Sequence, residues 1–210
     1  MITLYHCSNS RSMRTLWLLN ELQLKFKLVT LPFSMEALRT PEYLSISPLG
    51  RVPCIVDEDL RLYESGAICQ YLCENYGETE LYRAVNNDER TLWLQWLHFA
   101  ETIAVHAAAL VQQEVFIAPE KRSDVIKKLE SRRLVKSLEI VDAQVTKTQY
   151  LLPSGFSAVD TAVGYSIHLA SKFLDLTELG ETRLYYQRLK ERPAFKLAES
   201  DLEWNSSLED

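Results

Sequence analysis

Long apolar runs are missing from this sequence. None approaches the roughly 20 residues that a membrane-crossing helix needs, so no spanning segment is expected. A surplus of positive charge is missing too. Lys and Arg number 23 against 29 Asp and Glu, a net charge of −6, and the first 80 residues and the remainder are each slightly acidic. Binding along a nucleic-acid backbone needs the opposite balance, so that partner class is not expected. The basic cluster Lys127, Lys128, Arg132, Arg133, Lys136 has acids close by and reads as a solvated helix face. Cysteine is scarce and unmotivated. Cys7, Cys54, Cys69 and Cys73 never form C-x-x-C, and their spacings do not suit zinc. The opening MITLYHCSNSRS lacks the basic start and apolar stretch of a signal peptide. Free thiols in a reducing, cytoplasmic setting are therefore expected. No internal repeat is visible.

What is present is ordinary globular material: 210 residues, 47% hydrophobic and 25% charged. That length allows one large domain or two small ones. The first 80 residues change periodicity repeatedly. Ile2–His6 is a short β-prone run, Ser10–Leu24 is helical, and Lys27–Leu31 is strand-like, so the order β-α-β implies two parallel strands. A looser stretch with Pro32, Pro41, Pro48 and Gly50 has room for one short helix. Pro53–Val56 and Arg61–Tyr63 flank the acidic turn Asp57-Glu58-Asp59, a link short enough only for an antiparallel hairpin. Ser65–Tyr76 is helical, with Gly77 as its C-cap. Beyond about residue 83 the pattern is helical throughout, with segments at 87–116, 124–148, 158–173, 178–191 and 194–199. The expected linker covers residues 77–86.

Three short constellations can carry chemistry. Ser8, Ser10, Arg11, Ser12 and Arg14 stand where the first strand meets the first helix. A helix start carries about half a positive charge and favours an anion, and a thiolate is one. A hydroxyl donating to sulfur favours ionisation further. Plain helix capping by serine explains the same residues, and both readings stay open. Next, Arg51-Val52-Pro53-Cys54 opens the third strand. A cis bond before Pro53 would turn the Val52 backbone outward toward a peptide-like ligand, although X-Pro bonds in general favour trans. Lastly, Glu64-Ser65-Gly66 pairs a carboxylate with a hydroxyl at a helix start, which suits an ammonium and a carboxylate on one carbon. Capping explains Ser65 as well. Ser157 and Asp160 read as a structural capping box. His98 and His106 lie eight apart with Thr102 between them, so no metal is expected.

The chain resembles the cytosolic glutathione transferases over nearly its whole length. The matching pieces are YHCSNSRSMRTLWLLNEL (5–22), SPLGRVPCI (47–55), YESGAICQYL (63–72), QWLHFAE (95–101), FSAVD (156–160) and RLKERPAF (188–195). The S-R-S-x-R form of the first looks most like a bacterial and fungal branch that places serine near the thiol.

The resemblance implies a thioredoxin-like, glutathione-binding N-terminal domain (βαβ-ββα) at 1–80 and an all-helical bundle at 87–205. It also implies a homodimer serving detoxification. Pro53 would be cis, and Val52 would bind the cysteinyl unit of glutathione through its backbone. Glu64 and Ser65 would hold the γ-glutamyl end, and Arg51, with Arg39 behind it, would meet the glycine carboxylate. Ser10 best matches the position that faces the thiol; Ser8, Ser12 and Cys7 are the alternates. Tyr5 lies within the first strand and does not fit that role. A small apolar electrophile would be the second substrate, with Met13, Phe99 and His106 as pocket candidates; Phe33, Phe116 and Tyr165 fit core or pocket equally. The rival readings are a glutathione-dependent disulfide oxidoreductase and a non-enzymatic interaction protein of the same fold.

Overall fold

The computed structural model describes residues 1–76 and 80–200. Gly77, the expected C-cap, lies outside the described residues. Two compact units emerge: Met1–Tyr82 together with the segment from Lys190 onward, and Arg83–Leu189.

The first unit is built on a four-stranded sheet in the order β2-β1-β3-β4. Strand β1 (Ile2–His6) pairs in parallel with β2 (Phe26–Thr30), and antiparallel with β3 (Cys54–Asp57). Strand β4 (Leu60–Tyr63) closes the hairpin on β3, as the short acidic link demands. Glu58 takes φ +53° in that turn. This is the expected thioredoxin-like arrangement. Helix α1 (Met13–Glu21) packs on α4 (Ser65–Tyr76), and Trp17, Leu18, Leu19, Ile68 and Leu72 are fully buried with Leu4 and Ile55 of the sheet.

Helix α1 is shorter than the expected Ser10–Leu24. At its start Ser10–Ser12 form a turn after Asn9 at φ +58°, and at its end Gln23 takes φ +53°, which stops helical continuation. The loose stretch holds two one-turn helices rather than one: α2 (Met35–Leu38) and α3 (Pro41–Leu44). Ser34 caps the first, and Thr40 caps the second ahead of Pro41, so each has its own start signal.

The second unit contains α5 (Arg90–Val111), α6 (Asp124–Val145), α7 (Ala158–Ala170) and α8 (Gly180–Lys190), with α5 packed on both α6 and α7. The expected single helix over 87–116 is instead α5 followed by a π-helical turn at Gln112–Phe116. Asp160 is fully buried under α7. Its carboxylate accepts the Ser157 N–H at 2.8 Å, the Leu151 N–H at 3.1 Å and the Tyr185 hydroxyl at 2.7 Å, and the expected capping box is formed.

The last helix, α9 (Pro193–Ser200), departs from the expected division. It packs on α1 in the first unit rather than extending the helical one. Arg192 grips Glu21 with two bonds of 2.6 and 2.8 Å, and Trp17 donates to the same carboxylate at 2.8 Å. Phe195 meets the Trp17 ring edge-on at 4.9 Å. The apolar face of α1 needs a cover that the four-stranded sheet and α4 leave incomplete.

Candidate functional site

The sheet topology brings three sequence-distant segments to one end. Tyr5 pairs with Cys54, and Cys54 with Tyr63, in antiparallel ladders. The chain therefore leaves β1, enters β3 and leaves β4 at the same edge. Ser8–Ser12, Arg51–Pro53 and Glu64–Ser65 are those three exits and entries.

The serine turn is not a set of helix caps. Ser12 is the N-cap residue of α1, yet its side chain makes no capping bond. Its Oγ accepts the Cys7 N–H at 3.2 Å and lies 2.7 Å from both His6 Nδ1 and Ser10 Oγ. Ser10 Oγ donates to the Cys7 carbonyl at 2.7 Å. The first N–H groups of α1 are not bare either: Met13 and Arg14 donate to the carbonyls of Ser10 and Arg11 at 3.1 and 3.3 Å. Attraction of an anion there rests on the helix dipole and the Ser10 hydroxyl, not on open backbone donors.

The alternates separate by exposure. Ser12 is fully buried, Ser10 keeps 8% of its surface, and Ser8 is half-buried in the turn. Cys7 has no exposed surface, and burial pushes its thiol up to about 12. A thiol that neither ionises near neutral pH nor reaches solvent is inert, so Cys7 is corrected from alternate to core residue. It packs with Leu38, Tyr43 and Val52. The Tyr5 ring lies 5.7 Å from that of Tyr43, tilted by 49°, within the same cluster.

The Val52–Pro53 bond is cis, against the general trans preference and in line with the resemblance. Val52 stands just before the β1–β3 ladder, which begins at Cys54. The Arg51 carbonyl is held by Tyr43 Oη at 2.7 Å and Ser47 Oγ at 2.9 Å, while its side chain is exposed. Gly50 takes φ +56°, and a Cβ there would sit 2.3 Å from the Leu38 carbonyl oxygen and 3.2 Å from Arg39 Cδ. Only glycine fits that approach, which puts Arg39 beside the loop carrying Arg51.

Glu64 is exposed and takes φ +75°, a conformation that a non-glycine residue holds only against strain. Ser65 is buried and opens α4. Its Oγ accepts from Arg14 at 3.2 Å. A guanidinium has no acceptor, so the Ser65 hydroxyl proton remains free to be donated. The sequence places Arg14 in the first constellation; its burial and its reach across 51 residues to Ser65 are visible only in the fold. His6 was overlooked as well, although a histidine closing a strand next to three hydroxyls was a readable sign.

The pocket candidates divide. Met13 is completely buried in the first unit and has no surface for a ligand, so it is corrected to core. In the second unit, Phe99 is half-buried against Trp96 at 5.5 Å. His106 Nδ1 lies 2.7 Å from Glu130, whose carboxyl is held below its usual range by that contact and by Arg133. The groove beside His106 is lined by Leu129, Arg132, Arg133, Lys136 and Ser137, and most of the surface it exposes is apolar, from Leu129 and the stems of the long basic side chains. Tyr165 is buried, while Phe33 and Phe116 are exposed. Among the described residues, no group of three or more His, Cys, Asp or Glu is placed to hold a metal, and no helix is long and apolar enough to cross a membrane.

Known proteins resemble this chain in sequence and in fold. A family model described as the N-terminal domain of glutathione S-transferase matches residues 1–74. Glutathione S-transferase F10 of Arabidopsis thaliana is 31% identical over 170 residues, covering 77% of each chain. Glutathione S-transferase 3 of Schizosaccharomyces pombe is 25% identical over 98% of this chain and 90% of that protein. The crystal structure of the glutathione transferase URE2P8 from Phanerochaete chrysosporium with oxidized glutathione superposes with a TM-score of 0.88. It is 19% identical and the match covers 96% of this chain and 94% of that one. The chain belongs to the glutathione S-transferase family.

Proposed function

We propose that this protein is a glutathione transferase whose first unit binds glutathione and keeps its sulfur as the thiolate, for addition to an electrophile or reduction of a peroxide. The single observation behind this is the convergence at one sheet edge of Ser10, Val52 before cis-Pro53, and the Arg14–Ser65 pair. Family membership supports the same reading.

Each group has a distinct task. Val52 offers backbone polar groups to the cysteinyl unit. Ser65 donates to the γ-glutamyl carboxylate, and exposed Glu64 takes the ammonium. Arg51, with Arg39 beside its loop, meets the glycine carboxylate. Ser10 donates a hydrogen bond to sulfur, as neither nucleophile nor base. Depressing a thiol pKa by about two units corresponds to roughly 2.7 kcal/mol of preferential thiolate binding. A charge-assisted hydrogen bond together with a helix start is of that order. Serine-type chemistry, a small apolar electrophile, a homodimeric state and a detoxifying role in the cytoplasm complete the reading, supported by the family resemblance.

A Cys7 disulfide mechanism does not fit a sealed, neutral thiol. A purely non-enzymatic role leaves the undonated Ser65 proton and the strained Glu64 without purpose. The test is glutathione titration combined with conjugation kinetics. Ser10→Ala should lower turnover far more than it weakens glutathione binding; full activity in that variant would refute the assignment.

A further inference from the structure

The two serines belong to a hydrogen-bonded chain that runs inward to a histidine. Ser10 Oγ lies 2.7 Å from Ser12 Oγ, and Ser12 Oγ lies 2.7 Å from His6 Nδ1. His6 and Ser12 are fully buried, and of the three only Ser10 keeps any surface. We propose that His6 is a positioning residue for the transferase reaction: its Nδ1–H, relayed through Ser12, obliges Ser10 to donate its proton outward to the glutathione sulfur. This rests on Ser10 being the hydroxyl that meets the thiol.

The argument is a count of protons and lone pairs. A hydroxyl has one proton to give and two lone pairs to receive with. Ser12 Oγ already receives the Cys7 N–H at 3.2 Å. When His6 Nδ1 carries hydrogen, it fills the second lone pair of Ser12. The Ser12 proton then goes to Ser10 at 2.7 Å, the nearer of its two acceptors, since the Cys7 carbonyl lies at 3.3 Å and already takes the Ser10 proton. Ser10 Oγ also lies 3.3 Å from the Ser12 backbone N–H, which fills its remaining lone pair. Ser10 is left with a proton and nothing else to offer. Without ligand that proton rests on the Cys7 carbonyl at 2.7 Å. A thiolate is charged and accepts more strongly, so it draws the proton away.

The reverse arrangement does not serve. When Nδ1 is bare, Ser12 donates to His6, and the Ser10 proton is drawn into the 2.7 Å contact with Ser12. Turning it toward sulfur would leave two oxygens facing each other at that distance with no proton between them. The same heavy-atom positions accommodate both directions, and the histidine decides which one holds. No covalent bond of Ser10 is broken in either case: Ser10 exchanges its hydrogen bond to the Cys7 carbonyl for one to sulfur and keeps its proton, and the thiol's proton leaves to water.

The ultraviolet absorbance of the thiolate, titrated against pH with glutathione bound, reads the effect directly. His6→Val removes the donor and keeps a strand-forming side chain, and His6→Asn returns an N–H near the Nδ1 position. Ser12→Ala breaks the relay without touching His6, and serves alone if His6→Val does not fold. His6→Val and Ser12→Ala should each raise the pKa of the bound thiol by about one unit, which lowers the thiolate fraction near neutral pH about threefold. The kcat should fall in step while KM for glutathione is unchanged, and His6→Asn should recover most of the loss. If both variants ionise the thiol as the wild type does while Ser10→Ala does not, the relay is wrong and the role of Ser10 stands. If the wild type binds glutathione without ionising it, or Ser10→Ala ionises it normally, both fall together.

Discussion

The turn before α1 and the turn before α7 both offer serines ahead of an apolar helix, and on sequence both read as caps. At α7 the reading holds. Ser157 and Asp160 are fully buried, and the Asp160 carboxylate is surrounded by donors from its own turn, from Leu151 and from Tyr185. Its hydrogen-bonding capacity is turned inward. At α1 the serines ignore the helix and bond to Cys7 and His6, and Ser10 retains a small exposed surface. One start is closed on itself; the other keeps a hydroxyl with somewhere else to point. The lesson is that a cap and a binding group share residue types, and differ in whether the local donors and acceptors are used up.

The largest expected effect sharpens that contrast at the closed turn. Asp160→Ala strands two backbone N–H groups and the Tyr185 hydroxyl in the core, and should lower unfolding stability by about 3–5 kcal/mol in urea titrations. The activity of the molecules that remain folded should be unchanged. Next in size, Ser10→Ala should raise the barrier to conjugation by about 1–3 kcal/mol, read as kcat, with little change in urea midpoint. A stability loss matching that of Asp160→Ala would erase the distinction between the two turns.

A pH experiment sets the sign at the same carboxyl. Burial is the largest influence on Asp160 and raises it to about 6, while its hydrogen bonds pull it down. The unfolded chain has an ordinary aspartate, near 3.9. The folded state therefore binds the extra proton between those values, and stability falls as pH rises through them. Relative to Asp160→Asn, the wild type should gain stability as pH drops from about 7 to about 4. A difference that moves the opposite way would mean the hydrogen bonds outweigh burial. The smallest effect belongs to Cys7. Cys7→Ala should lose about 1 kcal/mol from a small cavity and leave turnover unchanged, and Cys7 should resist alkylation in the native protein near neutral pH.

Much of the fold was legible because its signals are local. The alternation of Ile2–His6, the short acidic link after β3 and the run at Ser65–Tyr76 each declare an element within their own few residues. Helix ends were less legible: Gln23 stops α1 by taking positive φ, which its residue type does not announce, whereas Asn9 at positive φ belongs to a residue type that favours it. The division into units missed α9, because Phe195 and Arg192 find their partners Trp17 and Glu21 at the far end of the chain. In the candidate site, residue types and order were readable, whereas the inert character of Cys7 and Met13 depended on burial that sequence does not display.

The sequence by itself determined most of the elements and their order, and which residue types stand at the strand and helix ends, since periodicity, turn chemistry and residue type act over a handful of neighbours. Only the tertiary structure decided that Ser12 is sealed while Ser8 and Ser10 keep surface, that Arg14 reaches Ser65, and that His6 stands behind Ser12. Those outcomes follow from packing between segments far apart in the chain. A hydroxyl's direction is set by whichever donors and acceptors the fold brings within about 3 Å of it.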